Sequence, residues 1–185
     1  MSGVRFMTVK DLFASFATAA VETGEEASGE ESVVFLRRCL AARRPGVAVT
    51  YCAYLLPRRE AVWWSCRAMS DMTELRASER ACVDAARRWA LRPEESSRRK
   101  ALELGLETSP RLSGAWVALA AGWSGGSIAP VGAAPLPSSP AATAQAVRVA
   151  LLSAAARLAN DRRETIMAAW VEFALQSLDK GMRFA

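Results

Sequence analysis

The sequence predicts an all-α fold: a compact antiparallel or orthogonal array of eight or nine helices carrying one long Gly/Pro-rich loop. Alanine, the strongest helix former, supplies about one residue in five of the 185. Strand formers are sparse, with two tyrosines and valines that are scattered rather than alternating. Apolar residues recur at helical spacing in successive segments punctuated by Pro, Gly or acidic breaks. With 51% apolar and 23% charged residues, the chain has the composition of one compact domain or two very small ones.

Thr8 followed by Asp11 starts a first helix, whose apolar face is Leu12, Phe13, Phe16, Ala19 and Ala20. Acids and glycines in ETGEEASGEE, residues 22–31, end it and read as a solvated linker or flexible acidic loop. Residues 1–31 are therefore expected to form an N-terminal helix plus acidic loop, and 32–185 a single helical domain. Ser32 caps a second helix over 33–42 that ends near Pro45-Gly46. Residues 47–56 are short enough for a strand, but Ala48, Ala53 and the lack of a pairing partner favour helix. Pro57 opens the next helix, through Ala61, Trp64 and Ala68 to about Met69.

Thr73 then caps a long helix with Leu75, Cys82, Ala85, Ala86 and Trp89 on one face and Glu79, Arg80, Arg87 and Arg88 on the other. Pro93 separates it from a helix over 94–104. Pro110 begins another, with Trp116, Leu119, Ala120 and Trp123 facing inward. Residues 124–140, rich in Gly, Pro and Ser, form one long loop. Two helices close the chain, over 141–160 and from 161 to about Lys180, with Gly181 as the stop. The last carries Ile166, Met167, Trp170, Phe173, Ala174 and Leu178 on its apolar face. No fixed-period repeat of the tetratricopeptide or HEAT kind is present.

Function is narrowed first by exclusion. The chain has no histidine, which removes Ser-His-Asp and Cys-His nucleophilic catalysis, imidazole metal sites and pH switching near neutrality. Cys39, Cys52, Cys66 and Cys82 form no CxxC pair, and a tetrahedral zinc site would need all four thiolates. Among apolar helical neighbours they read as core residues, which implies a reducing compartment. The net charge of +5, with Arg far outnumbering Lys, allows nucleic acid without arguing for it. The start MSGVRFMTVKDLF lacks the pattern of a secretory signal. Residues 112–147 carry no charge, but Gly125, Gly126, Pro130, Pro135, Pro137 and Pro140 break them well short of the roughly 20 residues of a membrane span. A cytoplasmic protein with no cofactor and no metal is the expectation.

Two stretches stand out. In LPRREAVWW, residues 56–64, Arg59, Trp63 and Arg67 fall at i, i+4 and i+8, nearly one stripe of a helix, while Trp64 points about 100° away. Trp63 is either a surface aromatic framed by guanidinium groups, as in an interface hot spot, or a buried ring with Arg stems lying over it. Trp64 reads as core. In Trp123-Ser124-Gly125-Gly126-Ser127-Ile128-Ala129-Pro130 the paired glycines allow positive φ and close backbone approach. The stretch is either a helix stop with a proline-braced loop or a partner-binding loop, with an anion-binding nest as a further option. It is neither a P-loop nor a nucleophile elbow. The basic runs at 37–38, 43–44, 87–88, 98–100 and 162–163 are interrupted by acids and read as solvated helix faces.

These two motifs, with Trp89 followed by Pro93-Glu94-Glu95, AWVALAAGWSGGSIAP at 115–130 and TAxAV at 143–147, resemble a family of uncharacterised all-helical bacterial proteins. There the middle segment typically reads WSGGSLAPPGLPPVPPP, which Pro135, Pro137 and Pro140 match only loosely. The resemblance covers about residues 47–158 and leaves out the N-terminal helix and acidic loop. It implies a companion of type VI secretion gene clusters, often near forkhead-associated-domain proteins, with an accessory or adaptor role and no catalytic residues. The expected function is thus non-enzymatic: docking of a secretion component or effector. The candidate partner-binding residues are Arg58, Arg59, Trp63, Arg67, Trp123, Ser124, Gly125, Gly126, Ser127, Ile128 and Pro130. Nucleic-acid binding through the arginines is the alternative, and an enzyme using Ser124, Ser127 or the carboxylates a third reading.

Overall fold

A computed structural model describes residues 5–72, 74–130 and 132–180. Thr73 and Gly181, read above as a cap and a stop, lie outside the described residues. The described chain is all-helical: α1 (Val9–Ser15), α2 (Ala17–Thr23), α3 (Ser32–Ala41), α4 (Pro45–Leu55), α5 (Arg58–Met69), α6 (Ala77–Leu91), α7 (Glu95–Glu107), α8 (Ser113–Gly122), α9 (Ala142–Ala155) and α10 (Asn160–Lys180). Among the described residues there is no strand, only isolated bridges between Thr8 and Glu31 and between Ser127 and Pro137. The tenth helix comes from a break at Phe16, which splits the first expected helix in two. Residues 47–55 are helical within α4, with Pro45 in its first turn, and Leu56, read as the end of that helix, is instead its extended C-cap.

The described residues group into two compact units, one of residues 5–57 with 155–180 and one of 58–154. The first is organised around α4, whose residues from Ala48 to Leu55 are all buried; a helix apolar all round has to be covered all round. Tyr51 packs against Phe35 at a tilt, with ring centroids 4.4 Å apart, and meets Phe13 edge-on. Its hydroxyl is 2.8 Å from the Ser32 Oγ, which also donates to the Phe6 carbonyl at 2.7 Å. Ser32 is therefore the buried first residue of α3 rather than its cap, a position held by Glu31. Thr8 and Asp11 do form a reciprocal capping box on α1. Two acids of the 22–31 segment, Glu25 and Glu30, pair with Arg38, and Glu25 also pairs with Arg44 at 2.6 Å. Val9 and Lys10 donate their amides to the carbonyls of Glu30 and Ser28.

The second unit is organised around α8, buried along nearly all its length and packed by α5, α6 and α7. Glycines set the closest approaches. A Cβ added at Gly114 would lie 2.7 Å from the Glu79 Cα and carbonyl oxygen, and one at Gly122 2.7 Å from the Leu102 Cβ. Glu79, read from sequence as part of a solvent face, is fully buried. Its carboxylate accepts from the Arg76 amide at 3.2 Å and the Gly114 amide at 3.4 Å, so one side chain serves the first turns of α6 and α8. Trp64 and the four cysteines are buried, the latter as free thiols. Trp116 and Trp123, read as inward-facing, are only half-buried and meet edge to face at 6.3 Å.

Candidate functional site

The second unit brings one part of LPRREAVWW to the loop after α8. Arg58, in the first turn of α5, donates from Nη1 to the Ser124 carbonyl at 2.9 Å and from Nη2 to the Pro140 carbonyl at 3.3 Å. It therefore holds both ends of the 124–140 segment. Arg98 and Arg99, on α7, hold its middle. The Arg98 guanidinium donates to the carbonyls of Gly122 and Ser127, the latter at 2.9 Å, and Arg99 reaches the Ala129 carbonyl at 2.5 Å. Arg98 is 3% exposed, so the run at 98–100 is not simply a solvated face.

Glu95 holds the same guanidinium, accepting from Arg98 Nε at 2.7 Å and from Nη2 at 2.6 Å. The hydrogen bonds from Arg98, and after them those from Arg99, hold the Glu95 carboxyl down at about 2. Gly126 explains why a glycine is needed here. Its φ is +60°, and an added Cβ would lie 2.9 Å from the Arg98 Nη2. What faces the turn is thus an intramolecular guanidinium held by carbonyls, the reverse polarity of an anion-binding nest.

The loop is further closed on itself. Ser127 Oγ accepts from the amides of Ala129 and Leu136 at 3.1 and 3.0 Å, the Ile128 amide donates to the Leu136 carbonyl at 2.8 Å, and Ser138 Oγ donates to the Trp123 carbonyl at 2.6 Å. Ser124 Oγ donates to the Ala121 carbonyl at 2.6 Å. Both serines considered for catalysis are thereby engaged with backbone. Ile128 is half-buried against this frame, and Pro130 is exposed.

The rest of the arginine–tryptophan stripe goes elsewhere. Arg59 donates to the carbonyls of Ala90 and Leu91 at 2.6 and 3.0 Å, satisfying the last turn of α6. Trp63 is 7% exposed, so its ring is buried and is not a surface aromatic. It lines a cleft of about 270 Å³ with Arg67, Ser70 and Arg87. Ser70 and Arg87 also line a cleft of about 250 Å³ that adds Met69, Met72, Leu75 and Val83. Arg67 pairs with Asp71 at 3.2 Å, and Arg87 donates to Ser70 Oγ at 2.9 Å. Of the candidate residues, Arg58 and the loop positions 123–130 are brought together, whereas Arg59, Trp63 and Arg67 serve α6 and this cleft. Sequence reasoning missed Arg98 and Arg99. The available signal was Glu95, three and four residues before them, which marks a helical ion-pair set.

Among the described residues, no group of three or more Cys, Asp or Glu side chains is placed to hold a metal ion, and no helix is long and apolar enough to cross a membrane. These features define an all-helical protein whose distinguishing device is an uncharged loop clamped by arginines. The chain belongs to a family of unknown function, DUF6931, which matches residues 35–178. That match begins within α3 and runs almost to the end of α10, wider than the 47–158 stretch carried by the motifs, and it too leaves out α1, α2 and the acidic segment. No curated protein and no solved structure matches the chain.

Proposed function

We propose that this protein is a non-enzymatic, cytoplasmic interaction protein, an accessory of a bacterial type VI-like secretion system that docks a secretion component or effector through the loop after α8. The observation that carries this reading is the clamp. Three arginines from two helices fix a segment whose outer residues are exposed. Ordering a backbone residue costs about 1–2 kcal/mol, and a loop already ordered does not meet that cost again when a partner binds. The secretion context rests on the motif resemblance alone. The arginine-face alternative, nucleic acid, draws less support, because Arg58, Arg59, Arg98 and Arg99 direct their guanidinium groups to backbone carbonyls.

The test is affinity capture from the native cells with the full chain as bait, read by mass spectrometry. Leu136→Asp on the exposed loop is run in parallel. The wild type is expected to retain one protein of the secretion apparatus at fixed stoichiometry, and Leu136→Asp to lose it with an unchanged melting temperature. Equal capture by both forms would remove the loop from the account.

A further inference from the structure

The outer side of the loop has a chemistry that specifies its partner more narrowly. Pro130, Ala133, Ala134, Pro135, Leu136 and Pro137 are exposed, and Leu136 presents 56% of its surface between two prolines. A lone exposed leucine is ordinary. The backbone beneath this one is not available for pairing. The Leu136 amide donates to Ser127 Oγ and its carbonyl accepts from the Ile128 amide. The Ala133 amide donates to the Pro130 carbonyl, and the flanking prolines have no N–H. A partner therefore cannot add a strand at Leu136, because strand addition is driven by main-chain hydrogen bonds. No charge lies anywhere between residues 112 and 147, so an ion-pair partner has nothing to address in the loop itself. What remains is side-chain recognition of an exposed Pro-Leu-Pro ridge, and the surface that fits rigid proline rings is a groove lined by aromatic side chains.

Resting on the interaction reading above, we propose that Pro135-Leu136-Pro137 is a ligand inserted into an aromatic-lined groove of the partner protein. The chain is then the ridge and its partner the groove.

The experiment places a photo-cross-linking benzophenone amino acid at position 136 of the full chain in the native cells, and at position 106 in a second form. Leu106 is exposed on α7, outside the loop. Adducts are digested and the attachment points sequenced. The expected result is one adduct from position 136, attached within a partner peptide containing Trp or Tyr, and none from 106. With the captured protein purified, Pro135→Ala/Pro137→Ala is expected to weaken binding about tenfold. The wild-type Kd should move less than about twofold between about 0.1 and 0.5 M salt. Retention of a partner by the bait with no adduct at 136, or with an adduct to a peptide lacking aromatics, overturns the ridge and leaves the interaction reading standing. Failure of the bait to retain any protein overturns both.

Discussion

Replacing Arg98 with alanine removes the group from which the loop after α8 is hung. The carbonyls of Gly122 and Ser127 lose a charged donor in a setting where Arg98 itself is almost entirely buried. Hydrogen bonds to charged groups contribute about 1.5–3 kcal/mol each, and a buried acceptor left unmatched costs about 1–3 kcal/mol. Two such bonds, offset by water reaching the loosened loop and by alanine's better helix propensity, give a loss of about 3–5 kcal/mol. At about 2–4 °C per kcal/mol for a chain of this size, the melting temperature should fall by about 6–20 °C. Circular dichroism melts and urea titrations measure it.

The same variant has a pH signature. The Glu95 carboxyl is held at about 2, below its ordinary value near 4.3, so its pairing stabilises the fold above that ordinary value and is lost as pH falls through about 2. Its side chain is 59% exposed, so solvent screening keeps this contribution below about 1 kcal/mol. The gap between wild type and Arg98→Ala should therefore narrow modestly between about pH 4.5 and 2. A loss under about 1 kcal/mol at neutral pH would refute the clamp as a structural device.

Gly114→Ala should destabilise by about 2–4 kcal/mol, because the new methyl meets α6 backbone at Glu79 that cannot rotate away, whereas Gly125→Ala, with open space around it, should stay within about 0.5 kcal/mol; paired urea melts compare them. Ser32→Ala should cost about 1–3 kcal/mol by stranding the buried Tyr51 hydroxyl, whose pKa burial pushes up to about 12, and Tyr51→Phe in the same background should recover part of that in a double-mutant cycle. All four cysteines are buried and their thiols are raised by burial, Cys66 to about 12, so a thiol reagent at about pH 8 should label none of them in the folded protein and all of them in denaturant; rapid labelling of the native state would contradict the packing around α4 and α6.

Helix number and placement were legible because alanine content, proline and glycine punctuation and apolar spacing all act locally. The break at Phe16 was not, since no Gly or Pro marks it. It follows from tertiary packing of the Phe16 ring on Tyr54, 5.3 Å away, and on Phe6. Glu79 was misplaced because a charged residue on an amphipathic helix ordinarily faces water, and the approach of α8 at Gly114, distant in sequence, gives its carboxylate a buried partner. The loop motif was visible as a motif, but its clamp was not. Arg98 meets Ser127 across 29 residues and Arg58 meets Pro140 across 82, separations that no local pattern encodes. The Arg59–Trp63–Arg67 stripe was correctly placed on one helix, yet periodicity gives no sign of what lies above it.

The first compact unit draws on both ends of the described chain, whereas the second is one uninterrupted stretch between them. During synthesis, residues 58–154 leave the ribosome as one continuous stretch that carries α5 to α8 together. The older N-terminal segment must wait: α4 is buried along its length from Ala48 to Leu55, and one of the helices that covers it, α10, is made after residues 58–154. Until then an apolar rod carrying Tyr51 and Tyr54 stands partly bare, so a chain stalled or shortened before α10 exposes an adhesive surface that α10 helps to conceal.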